Sequence, residues 1–173
     1  MNRLKSAGLF LIFAVVLSLS AGAQKLDKYY SRHTQEGGDL FFFYPNEDFE
    51  CSENHSELAF DISYRHGNDS AILNYTYHWK AANPADSINI EINGYRIKAA
   101  AKKLFMDFEK KMWVHRYSSK IGFDDLERFI IAESPPEIRI STEQDELVFA
   151  APGRKWDKYA EAGEKIIYII RNE

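Results

Sequence analysis

The sequence predicts an α+β domain: an antiparallel β-sheet or sandwich-like core of about six to eight strands built from hairpins, with a helix near 123–132 and a C-terminal helix near 153–170. Three observations predict it. Apolar and polar residues alternate over 58–65, 72–79 and 88–92, the period of strands with one buried face. The turn sequences His66-Gly67-Asn68-Asp69 and Asn93-Gly94 separate those runs and tolerate positive φ, which joins them as hairpins. After Lys120 the apolar residues change to three- and four-residue steps punctuated by Pro135-Pro136 and Pro152, the spacing of helices.

The elements follow in order. Arg3 and Lys5 precede the apolar run Leu9 to Leu19, and Ala21-Gly22-Ala23 supplies small residues for cleavage before Gln24, so residues 1–23 read as a signal peptide. The run is too short to span a bilayer core of about 30 Å, and no later stretch reaches the roughly 18 apolar residues a span requires. The expectation is an exported, periplasmic or extracellular chain with no transmembrane anchor after cleavage. A mature chain of about 150 residues buries enough surface to fold without disulfide or metal staples. Residues 24–38 are polar, end in Gly37-Gly38 and read as a flexible lead-in to a single domain over 39–173.

Within that domain Asp39 to Tyr44 is a short apolar strand stopped by Pro45, and 45–56 is a loop. Leu58, Phe60, Ile62 and Tyr64 form one strand face, and Leu73, Tyr75, Tyr77 and Trp79 the matching face of its hairpin partner. Ile88, Ile90 and Ile92 lead through Asn93-Gly94 into a returning strand. Over 96–120 two readings stand. Ile97, Ala101, Leu104, Phe105, Phe108 and Met112 fit a helical face; strands over Tyr95–Met106 and Met112–Lys120 fit as well, and the turn at Asn93-Gly94 favours the strands. Phe123 to Ala132, with Asp124 and Asp125 where the helix dipole wants negative charge, is a helix. Glu137–Ser141 and Leu147–Ala150 are short strands. Trp156, Tyr159, Ala160, Gly163, Ile166, Ile167 and Ile170 repeat as the face of a terminal helix, with a closing strand over 165–171 as the alternative.

Charge is laid out in blocks. Removing Arg3 and Lys5 with the leader leaves 20 basic against 26 acidic residues, a net charge of −6. Between Arg32 and Arg65 there is no lysine or arginine, while Glu36, Asp39, Glu47, Asp48, Glu50, Glu53, Glu57 and Asp61 sum to −8. From Arg96 to Lys120 the balance is +6: Arg96, Lys98, Lys102, Lys103, Lys110, Lys111, Arg116 and Lys120 against Asp107 and Glu109. Either the two regions compensate each other within the fold, or the basic segment faces an acidic partner through its summed field. Nucleic acid is not expected for an acidic, exported chain.

Catalytic signatures are missing from the sequence: it has no phosphate loop, Gly-x-Ser-x-Gly elbow, His-Glu-x-x-His helix, Cys-x-x-Cys or calcium loop. No cofactor is implied. Cys51, the single cysteine, lies between Glu50 and Glu53, which oppose a thiolate, so a buried small hydrophobe is the expectation. Cys51 with His55 makes only half a zinc site. Asp124-Asp125 and Glu36 with Asp39 read as capping and solvation. The aromatic stripe Tyr75, Tyr77, Trp79 could stack on a planar ligand, although at strand spacing it reads first as core. Asn54-His55-Ser56, Asn68-Asp69-Ser70 and Asn74-Tyr75-Thr76 are acceptor sequons in a eukaryotic host. Asp69-Ser70-Ala71 and Asp86-Ser87-Ile88 resemble the Asp-Ser/Thr-aliphatic acceptor motif of bacterial periplasmic O-glycosylation, which makes Ser70 and Ser87 candidate modification sites.

The functional expectation is a non-enzymatic binding or accessory protein of the cell envelope. Its candidate contacts are Lys98, Lys102, Lys103, Lys110, Lys111, Tyr75, Tyr77 and Trp79, and its partner an anionic envelope component, a glycan or another exported protein. The alternative is a hydrolase of unfamiliar type using acidic-block carboxylates, or Cys51 with His55.

Overall fold

In the computed structural model, which describes residues 26–45, 49–51 and 56–172, the alternating stretches form one antiparallel sheet of eleven strands. In chain order the strands are β1 (Tyr30–Gln35), β2 (Gly38–Phe43), β3 (Phe49–Cys51), β4 (Glu57–Arg65), β5 (Ser70–Trp79), β6 (Ala85–Ile92), β7 (Tyr95–Ala100), β8 (Lys102–Glu109) and β9 (Met112–Gly122). Helix α1 (Phe123–Ile130), strands β10 (Glu137–Thr142) and β11 (Glu146–Ala150), and helix α2 (Gly153–Arg171) complete the chain. The expected leader and cleavage point lie outside the described residues, as do Asn54 and His55.

The strands run in the order β7-β6-β10-β11-β3-β4-β5-β9-β8, with β2 on β4 and β1 on β2. The two ends of that order are consecutive in the chain. Residues 95–109 form a bent strand whose first half, β7, pairs with β6 and whose second half, β8, pairs with β9. The bend at Ala101 therefore brings the ends together, and the sheet nearly closes into a barrel. Two hydrogen bonds stitch the seam. Ser119 Oγ of β9 donates to the Ala100 carbonyl of β7 at 2.8 Å, and the Ala85 N–H of β6 donates to the Tyr117 hydroxyl of β9 at 2.9 Å.

The expected six to eight strands are corrected to eleven for three reasons. The polar lead-in pairs: residues 30–35 form β1 across Gly37, whose φ of +93° suits the tight turn into β2. The expected loop 45–56 contains β3, which joins β4 to β11. The long strand expected from Tyr95 is cut in two at Ala101. The hairpins at Gly67 and Asn93-Gly94 form as predicted, the latter with positive φ at both turn residues, and 96–120 folds as strands rather than helix.

One apolar core fills the barrel, shared by the inner sheet face and both helices. Leu58, Phe60 and Ile62 of β4 stand opposite Tyr77, Tyr75 and Leu73 of β5, all buried. Phe129 of α1 lies 5.2 Å from the Phe60 ring and 5.7 Å from Trp156 of α2. Ile166, Ile167 and Ile170 are buried within α2, which removes the alternative of a closing strand over 165–171. Asp124 and Asp125 occupy the first turn of α1 as expected. Among the described residues no helix is long and apolar enough to cross a membrane.

Candidate functional site

Strand β8 is where the sheet runs out. Among the described residues its one strand partner is β9, so its second edge presents unpaired backbone groups. Lys102, Lys103, Leu104, Phe105, Asp107, Phe108 and Glu109 are all exposed, with Met106 alone partly buried. Leu104, Phe105 and Phe108 keep 50%, 51% and 55% of their surface in water, which is uncommon for side chains of this kind on one short strand. A register shift between Lys103 and Phe105 lets the strand bulge at Leu104. Phe108 leans on Trp113 of β9 with ring centroids 5.3 Å apart.

The tip of the β8–β9 hairpin carries further positive charge in a costly conformation. Glu109 pairs with Met112, leaving Lys110 and Lys111 as a two-residue loop with φ of +49° and +68°. Two positive φ values define a type I′ turn, whose usual sequence is the Asn-Gly found at 93–94. A residue carrying a Cβ pays roughly 1–2 kcal/mol in the left-handed region. Lys110→Asn with Lys111→Gly is therefore expected to stabilise the fold by about 1 kcal/mol after glycine's entropy is subtracted, raising Tm by roughly 2–4 °C. A thermal melt that shows no gain would contradict the strain.

The basic segment divides by residue type. Arg96 pairs with Glu91, and Arg116 donates to Asp61 at 2.6 Å and to Thr76 Oγ1 at 2.8 Å, which ties it to the acidic block. Lys98, Lys102, Lys103, Lys110, Lys111 and Lys120 are exposed and have no ion pair with any described residue. Internal compensation thus employs the arginines and leaves the lysines to solvent. Alternation sets their directions: the neighbours of Lys98 and Lys120 along the strand are buried, so both point outward, as does Lys102 opposite Ser118. Lys110 and Lys111 crown the tip.

The aromatic stripe belongs to the core. Tyr75 and Tyr77 have no exposed surface and Trp79 keeps 7%, so no ligand outside the barrel can stack on them. Inside, the Tyr77 ring lies flat on His115 at 4.6 Å, and Tyr75 stacks with Tyr117 at 5.8 Å. His115 Nε2 is 3.0 Å from the Ala81 carbonyl, which fixes that nitrogen as the donor, while Nδ1 and the Tyr77 hydroxyl have no hydrogen-bond partner among the described residues. Burial pushes the His115 pKa below its ordinary value, with the His78 charge adding to the effect and the Ala81 contact opposing it. Burial also raises both tyrosines well above theirs, so these groups stay neutral.

The other candidates are dispersed. Cys51 is buried in β3 opposite Phe149, and His55 lies outside the described residues. Asp125 accepts a 2.9 Å hydrogen bond from the Tyr95 hydroxyl, and Asp39 pairs with Arg32. Among the described residues no three His, Cys, Asp or Glu side chains stand together as a metal site would require. Ser70 opens β5 opposite Gly122, and Ser87 sits within β6 between Ala100 and Ser141, both partly exposed. Sequence reasoning missed Leu104, Phe105 and Phe108 as surface residues; the available signal was the pair Leu104-Phe105, which breaks alternation beside four lysines.

No protein-family model matches the chain, and no curated protein or solved structure shows a match to it.

Proposed function

We propose that this chain is an exported, non-enzymatic binding or accessory protein of the cell envelope, and that the ribbon of β7, β8 and β9 is its surface for an anionic partner. One observation carries the reading. Six lysines of β7, β8, β9 and the β8–β9 turn make no ion pair among the described residues, and three half-exposed apolar side chains stand on β8 beside them, although Arg96 and Arg116 of the same segment pair with Glu91 and Asp61. Such a surface combines a field that attracts anions with an apolar area that rewards contact. Export rests on the leader of residues 1–23. The burial of Cys51 and the neutral, enclosed state of His115 and its tyrosines weigh against the hydrolase reading.

Changing Lys102, Lys103, Lys110 and Lys111 together to glutamate reverses the ribbon's charge without touching a buried side chain. Binding of the chain from Gln24 to immobilised polyglutamate is expected to be lost in this variant, with circular dichroism unchanged. Equal binding by both proteins would remove the ribbon from the proposal.

A further inference from the structure

If the ribbon binds an anionic partner, the free edge of β8 says more about that partner than its charge does, and its identity here rests on the binding reading of the ribbon. An edge strand offers N–H and C=O groups along its length, here over the eight residues Lys102–Glu109, with the Phe108 N–H already donated to Asp107 Oδ1 at 2.8 Å, and the natural complement of such a row is another extended backbone. Lysines and a bulge can also blunt an edge against unwanted pairing. Half-exposed Leu104, Phe105 and Phe108 work against that purpose, because they reward whatever covers them.

The alternatives fit less well. A lipid surface would have to admit the unpaired backbone, together with Asp107 and Glu109, at the depth of the apolar side chains. A charged glycan would neutralise the lysines and leave the three apolar residues in water. A second copy of the chain would bring like charge to like, since residues 102–111 carry four lysines against Asp107 and Glu109, a net +2.

The geometry points to strand addition: β8 receives an extended, acidic polypeptide segment of another exported protein as a new strand of the sheet. Its backbone pairs with the open edge, its side chains cover Phe105 on one face of the sheet and Phe108 on the other, and its carboxylates meet Lys102 and Lys103 at one end and Lys110 and Lys111 at the other.

The probe is a short valine peptide, apolar on both faces of the strand it forms, with two glutamates at each end, titrated against the chain from Gln24 while amide hydrogen exchange is followed. The edge-facing amides of 102–107 are expected to gain protection, the Phe108 amide being already donated to Asp107. The same peptide N-methylated at alternate residues should bind more than about tenfold more weakly, because it cannot pair as a strand. Peptide binding without protection of β8, or equal binding of the N-methylated form, would overturn strand addition while leaving the ribbon as an anion-binding surface. Protection that grows with protein concentration in the absence of peptide would show a second copy on the edge and overturn the assignment of an acidic partner. If neither the peptide nor polyglutamate binds, both this inference and the binding reading fail.

Discussion

Gly163→Ala is expected to destabilise the fold by about 3 kcal/mol, because a methyl group at this position has nowhere to go. On an open helix the same change would stabilise by roughly 1 kcal/mol, since alanine is the better helix former. Gly163 is not open. It lies where α2 crosses the end of α1, and a Cβ built there would come within 2.9 Å of the Ile130 carbonyl oxygen and 3.3 Å of its carbon, besides striking the Ile130 side chain. A side chain can turn away, but a carbonyl held in a helical turn cannot. The helices would have to separate, and Phe129 would lose its contact with Trp156. For a chain of this length the loss corresponds to a fall in Tm of roughly 6–12 °C. A melt that is unchanged or higher would show that α1 and α2 do not approach so closely.

Trp156→Ala should cost more still. The indole is buried within a ring cluster, 5.8 Å from Phe49, 5.7 Å from Phe129 and 5.0 Å from Tyr159, so it links β3, α1 and α2 in one core. Its Nε1 donates a 2.7 Å hydrogen bond to the Ala132 carbonyl just after α1. Truncation removes the packing, typically about 3–5 kcal/mol, and strands a buried acceptor, about 1–3 kcal/mol more unless water reaches it. Against a usual total of about 5–15 kcal/mol, the variant is expected to be marginal or unfolded near 37 °C. Trp156→Phe separates the contributions, keeping most of the packing while losing the hydrogen bond, and should cost about 1–2 kcal/mol. Urea titration of both variants checks the ranking, and a cost below about 1 kcal/mol for the alanine variant would place the indole outside the core.

Local pattern made much of the fold legible. Leu58 to Trp79 declared their period of two, Asn93-Gly94 and Gly67 declared their turns, and the Trp156 to Ile170 repeat declared its helix, because each of these signals is set by neighbours in sequence. The missed elements depend on partners far away. Residues 30–35 are polar on both faces and form β1 through pairing with β2 alone, so no period of burial marks them. β3 is three residues long, too short for any period, and it exists because β4 and β11 offer it edges. Closure of the barrel depends on the bend at Ala101, where one strand changes partners, and nothing local to Ala101 signals that change.

The surface was legible in the same divided way. The excess of positive charge over 96–120 can be counted, and the Arg96–Glu91 pair follows from the Asn93-Gly94 hairpin, but the pairing of Arg116 depends on Asp61 arriving from a strand far away in sequence. The exposure of Phe105 and Phe108 runs against their chemistry and follows from β8 ending the strand order with β9 as its one strand partner among the described residues, which only the three-dimensional arrangement reveals. Tyr75 and Tyr77 illustrate the converse. They are equally suited to stacking on a ligand or to packing, and the inward direction of β5 decides for packing.

Thermal unfolding of the chain from Gln24 with polyglutamate, at low and high salt, beside the variant with Lys102, Lys103, Lys110 and Lys111 changed to glutamate, tests the binding surface most directly. A ligand present at 100 times its Kd and bound only to the folded state adds about 2.7 kcal/mol, a rise in Tm of roughly 5–11 °C. The ribbon predicts that rise at low salt, its loss at high salt as the exposed lysines are screened, and no rise in the variant. No rise in the parent chain at low salt, or an equal rise in the variant, would contradict it.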